Sequence, residues 1–67
     1  MINYTILDDK YNKVIDDKCT IEVINEVIND KRNIKVGEFK NETNNTQVFW
    51  YQNINTKYIV IYEIQSI

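Results

Sequence analysis

The chain has 67 residues, a formal net charge of -2, 43% hydrophobic side chains, one glycine, one cysteine, and neither proline nor histidine. Cys19 alone cannot make an intramolecular disulfide, and without histidine the common zinc ligand sets cannot be assembled. The acidic balance also opposes nonspecific nucleic-acid binding, which needs cations to displace counterions from phosphates.

Residues 1–67 make one domain, and a domain of this size buries about 60% of the surface its unfolded chain exposes. Its margin of stability is thin, and small domains commonly widen it with disulfides, metals or association. Close packing and association are the routes left here. Asn, Ile, Lys and Tyr together supply 34 of the 67 residues. Their codons are rich in A and T, so an A+T-rich genome is expected, such as that of a low-GC bacterium, its phages or its mobile elements. Under such a bias only the placement of an isoleucine or asparagine is informative. Three Asn-x-Thr tripeptides, beginning at Asn3, Asn41 and Asn44, are read as coincidence.

The opening MINYTILDDK lacks the basic start and long apolar core of a signal peptide. The longest apolar run, Tyr58 to Tyr62, is far short of the roughly 20 residues of a membrane helix. A cytoplasmic setting is expected.

In chain order, Ile2 to Leu7 alternates as a first strand, with Ile2, Tyr4 and Ile6 on one side. Asp8 to Asn12 reads as a turn in which Asn12 takes the left-handed conformation, and Lys13 to Asp16 as a short second strand. A helix over Asp8 to Lys18, with Tyr11, Val14 and Ile15 on one side, is the competing reading; the hairpin is preferred. From about Lys18 to Arg32 the period changes. Ile21, Val23, Ile24, Val27 and Ile28 fall within an arc of roughly 160° at helical spacing. Asp17 is the expected cap, Lys31 and Arg32 suit the carboxyl end, and Asn33 is expected to close the helix in the left-handed state. Five β-branched residues weaken the helix by a few tenths of a kcal/mol each, whereas burial stabilises by about 1.5 to 3 kcal/mol apiece. The helix is therefore expected to exist by docking on the sheet.

Ile34 to Lys40 follows as a strand whose Gly37 marks a candidate bulge, then the polar loop Lys40 to Asn45. Thr46 to Gln65 is the densest apolar and aromatic stretch, two strands joined by a turn at Asn53, Ile54 and Asn55. Neither face of this hairpin is polar: Val48 and Trp50 share one, Phe49 and Tyr51 the other. In the last strand Tyr58, Val60, Tyr62 and Ile64 alternate with Ile59 and Ile61. Ile59 and Ile61 are expected to meet the helix, leaving the row of Tyr58 and Tyr62 wetter, because a phenol needs a place for its hydroxyl. The sum is an α+β fold in the order β-β-α-β-β-β, a small antiparallel sheet of four to five strands with one amphipathic helix on one face.

Catalytic equipment is sparse. The general base most often used is missing, and no Ser-His or Cys-His pair can be built. Cys19 reads as a small half-buried side chain, Ser66 stands beside the end of the chain, and the pairs Asp8/Asp9 and Asp16/Asp17 read as turn and cap formers before cation ligands. No catalytic residue, cofactor or metal is expected.

Two features suggest binding. The aromatic group Phe49, Trp50, Tyr51, Tyr58 and Tyr62 is of the kind enriched at interfaces, and aromatic sheet faces also stack single-stranded bases. Lys57 is the one cation within these strands, which disfavours nucleic acid. The other feature is an acidic ridge of Glu22, Glu26 and Asp30, four residues apart on the helix, able to oppose a basic groove on a partner. The expectation is a non-enzymatic protein-binding module that associates with itself or with a host protein. In its sharper form it is a small inhibitor from a phage or mobile element, of anti-CRISPR or other anti-defence type, acting on a nuclease or defence complex. The alternatives are a nucleic-acid binder using the aromatic sheet face, and an oligomer-forming structural or antitoxin-like subunit.

Overall fold

A computed structural model describes residues 1–65; Ser66 lies outside the described residues. The elements are β1 (Ile2–Leu7), β2 (Lys13–Cys19), α1 (Ile21–Asn29), β3 (Asn33–Asn41), β4 (Thr46–Asn53) and β5 (Ile59–Gln65). The five strands form one antiparallel sheet in the order β2-β1-β5-β4-β3. The hairpin reading of the first segment and the α+β architecture are thus what the chain adopts. Local hairpins β1-β2 and β3-β4 form the flanks, and β5 zips them together.

The turns show how short polar side chains shape the chain. Asp8 accepts hydrogen bonds from the backbone N–H of Lys10 at 2.9 Å and Asn12 at 2.8 Å, an arrangement that holds its carboxyl below the usual range. The left-handed residue is Tyr11 (φ 66°), one position before the expected Asn12, because the carboxylate fixes the turn from both sides. Between β4 and β5 the turn is wider than expected. Asn53 Oδ1 accepts from the N–H of Asn55 and of Thr56, and Lys57, with φ 67°, brings the chain back.

Helix α1 is shorter at both ends than the expected span from Lys18 to Arg32. Asp17 does not cap it, because β2 runs on to Cys19 and pairs Asp17 with Tyr4; Thr20 occupies the cap position, with no side-chain bond. At the other end Asp30 leaves the helix with φ -77° and ψ 116°, and its carboxylate takes the Arg32 guanidinium. Asn33 does close the helix, but not through a left-handed backbone. It sits in β3 and donates from its side-chain amide to the Val27 carbonyl at 3.0 Å, satisfying one of the orphan acceptors of the last turn.

The register of the strands tells which residues the helix covers. Cys19, Ile2 and Ile64 form one row of that face, Tyr4, Tyr62 and Phe49 the next, and Ile6, Val60 and Tyr51 a third. Because α1 leaves from β2 beside Cys19 and enters β3 at Asn33, it crosses the sheet from corner to corner. Ile24, fully enclosed, is its anchor and packs with Cys19 and Tyr62; Ile2, Tyr4, Phe49, Tyr51 and Ile64 surround them. Nine residues of helix, about 13 Å at 1.5 Å each, cannot cover the whole face. Of the predicted apolar arc, Val27 is half-buried while Ile21, Val23 and Ile28 remain exposed.

The expectation about the two faces of β5 is reversed within the strand and holds for Tyr58, which is exposed just before it. Tyr62, 2% exposed, lies under the helix, and Ile59 and Ile61 point to the opposite side. The physical reason is ring packing. Tyr62 stacks on Phe49 at 5.2 Å between centroids and on Tyr51 at 6.0 Å, nearly parallel in both cases. Such pairs contribute about 0.5 to 1.5 kcal/mol each beyond the area they bury, which two isoleucines in the same place would forgo. Burial, with Tyr51 beside it, pushes the Tyr62 hydroxyl far above its ordinary pKa.

Both sheet edges are guarded. On β3 the register shifts between Lys35 and Gly37, leaving Val36 as an extra residue, as the glycine suggested. A second irregularity between Ile6 and Leu7 leaves Val14 extra on β2. With Lys13, Asp16, Asp17 and Lys18 on β2 and Lys35, Glu38 and Lys40 on β3, each free edge combines a bulge with charge, the devices that discourage strand addition.

Candidate functional site

The face of the sheet opposite α1 has no layer over it among the described residues. Its composition follows from the register. One row runs Lys18, Asn3, Glu63, Val48, Phe39; the next Asp16, Thr5, Ile61, Trp50, Gly37; the third Lys13, Leu7, Ile59, Gln52, Ile34. The side toward β3 is apolar and the side toward β2 is charged. Val48 and Ile59 are nevertheless buried on this face, at 6% and 5% exposure. Phe39 and Ile34, at the rim, are each 52% exposed.

Trp50 occupies the middle of this face, opposite Gly37, where a side chain at the glycine would already be in van der Waals contact with the indole. Its indole N–H is buried and has no acceptor among the described residues; the same holds for the hydroxyl of Thr46. Such groups forfeit hydrogen bonds they had with water, at about 1 to 3 kcal/mol apiece.

Toward β2 the face hollows into a cleft of about 290 Å3 lined by Asn3, Thr5, Asp16, Val48, Ile61, Tyr62 and Glu63. Val48 and Ile61 are the aliphatic part of its lining. Asp16 is already engaged: it accepts from Thr5 Oγ1 at 3.3 Å and pairs with Lys13 Nζ at 3.1 Å, and that ammonium holds its carboxyl below the usual range. Glu63 is half-buried and makes no ion pair with the described residues.

The side chains singled out from sequence do not form one patch. Phe49, Tyr51 and Tyr62 are stacked together on the helix side, and Lys35 Nζ lies 5.9 Å from the Phe49 ring centroid. Trp50 stands alone on the other face, and Tyr58 is exposed just before β5. The acidic ridge is likewise thinner than its spacing implies. Glu22 and Glu26 project freely from α1, whereas Asp30 is bound by Arg32 through two side-chain hydrogen bonds, 2.8 and 3.0 Å, and a third from the Arg32 backbone. That hydrogen bonding brings the Asp30 carboxyl down to about 2.

Phe39, Ile34 and Leu7 were missed as members of a shared face. Alternation alone puts Ile34 and Phe39 on opposite faces; the extra residue Val36 brings them to one, and their partners come from strands whose order local pattern does not specify. Cys19, enclosed beside Ile24, has its thiol pushed up by burial and by Asp17, which opposes thiolate chemistry. Asp16 and Asp17 face opposite sides of β2, and no three acidic or cysteine side chains converge on a metal-sized site among the described residues. No helix among them is long and apolar enough to cross a membrane. In comparisons with protein-family models, with curated proteins and with solved structures, the chain matches none.

Proposed function

We propose that this chain is a non-enzymatic protein-binding module that docks on another protein through the uncovered face of its sheet. The observation that carries the reading is the pairing of guarded edges with an unguarded face. Charged side chains and bulges guard both free strands, whereas Phe39, Ile34 and Trp50 have no covering layer among the described residues. The lack of histidine and the enclosed, proton-retaining Cys19 support binding over catalysis.

Area favours a partner of another kind over a permanent self-dimer. Five strands at about 4.8 Å and three rows at about 7 Å make a face of roughly 500 Å2, or about 1,000 Å2 counted on both partners. Specific complexes begin near that value, while obligate homodimers bury about 2,000 Å2 or more. In its sharper form the module is a small phage or mobile-element inhibitor of a host nuclease or defence complex, a reading supported by size, codon bias and the acid balance. A nucleic-acid partner fits less well, since Asp16 and Glu63 stand on the same face and would meet phosphate with like charge.

The test is crosslinking from a photoreactive phenylalanine analogue placed at position 39 in the native cell, with the same analogue at position 26 as comparison. A protein captured from position 39, lost with Trp50→Ala and retained with Glu22→Lys, supports the reading. Capture dependent on the helix and indifferent to Trp50, or crosslinking of the chain to itself alone, refutes it.

A further inference from the structure

We infer that the cleft beside β2 is a receptor for one arginine side chain presented by the partner protein. The inference rests on the docking reading above and names the chemistry of its anchor. At about 290 Å3 the cleft lies at the small end of ligand pockets, which run from about 300 to 1,000 Å3, so it suits a single long side chain better than a cofactor. Its lining combines the apolar side chains of Val48 and Ile61 with the polar ones of Asn3, Thr5, Asp16 and Glu63. An arginine offers a counterpart to both, an aliphatic stem ending in a planar fork of five donors.

Glu63 is the expected ion partner, because it is half-buried and free of any other pairing with the described residues, and a carboxylate can take guanidinium in two parallel hydrogen bonds. Asn3, directly opposite Glu63 in the register, also lines the cleft, and Asp16 lies across from Thr5. Lys13 is held by Asp16, and Lys18 stands one strand further out without an ion pair among the described residues. Neither occupies the cleft, since neither lines it. The anchor also answers the area problem: a face near the lower limit for specific complexes gains most from one inserted, charge-paired side chain.

The probe is blocked arginine, N-acetyl-arginine N-methylamide, titrated into the labelled chain and followed by amide chemical shifts. Saturable shifts at Asn3, Thr5, Ile61 and Glu63 are expected. Replacing the guanidinium by the neutral citrulline analogue should weaken the response at least tenfold, and so should Glu63→Gln; Glu42→Gln, in the exposed turn between β3 and β4, should leave it unchanged. Retained shift dispersion and Trp50 emission establish that Glu63→Gln is folded, and Thr5→Val serves as a second cleft variant expected to weaken binding severalfold. Equal response to the citrulline analogue, indifference to Glu63→Gln, or tighter binding of free arginine than of the blocked amide overturns the inference. If the probe fails while crosslinking from position 39 succeeds, the anchor is wrong and the docking face stands. If the probe binds and position 39 captures nothing, the docking reading falls.

Discussion

Replacing Ile24 by alanine tests the claim that one residue pins the helix to the sheet. Ile24 is fully enclosed against Cys19 and Tyr62. The substitution removes three carbons, about 2.4 kcal/mol of transfer free energy at roughly 0.8 kcal/mol each. The aromatic floor beneath it is stacked and cannot collapse into the space, so a cavity term brings the expected loss to about 3 to 4 kcal/mol. A domain of this length is stable by roughly 3 to 10 kcal/mol, so the variant should be at or near half-unfolded at room temperature, or melt more than about 12 °C lower. Ile28→Ala, on the same helix but 39% exposed, should cost less than about 1 kcal/mol. Urea unfolding, read in parallel by far-ultraviolet circular dichroism and Trp50 fluorescence, measures both. A loss below about 1 kcal/mol at Ile24, or equal losses at the two positions, would refute the assignment of the anchor.

Other consequences are as definite. Thr46→Val exchanges a buried hydroxyl that lacks a partner among the described residues for a methyl of the same shape, in a strand that favours valine; denaturant midpoints should show a gain of about 1 kcal/mol. Because the folded pKa of Tyr62 is raised, its contribution to stability is intact below the unfolded value of about 10 and lost as pH rises above it. An ultraviolet titration should therefore show one of the five tyrosines ionising only together with unfolding, and Tyr62→Phe should remove that coupling. The reverse sign holds for Asp30, whose depressed pKa makes the Arg32 pairing effective above about 4 and lost as pH falls toward about 2; Asp30→Asn should flatten stability across that range. Deleting Val36 straightens β3 and removes half of its guard, so light scattering should show association that grows with concentration, whereas a strictly monomeric product would contradict the role given to the bulge.

The period-two pattern made the β4-β5 hairpin legible because β-branched and aromatic residues crowd both strands, and it made Gly37 legible as a bulge because glycine packs nothing. It could not say which face is inside. Val48 and Trp50 on one side and Phe49 and Tyr51 on the other are equally apolar, so alternation carries no direction. The preference for burying isoleucine weighed hydroxyl solvation and neglected ring stacking, which places Tyr62 between Phe49 and Tyr51. Helix boundaries were overextended for a related reason: Asp17 and Asp30 look like helix residues locally, but a cross-strand partner claims one and Arg32 the other. The cleft was illegible altogether, since Asn3, Asp16, Val48 and Glu63 meet only once β5 has joined two hairpins.

That joining strand has a kinetic side. β5 is synthesised last among the five and ends up in the middle, pairing Asn3 with Glu63 across nearly the whole chain. Neither hairpin can complete the core beforehand, so closure must wait until the final strand is available, and such distant pairing slows folding. Until then Phe49 and Tyr51 lack Tyr62, the ring on which both stack.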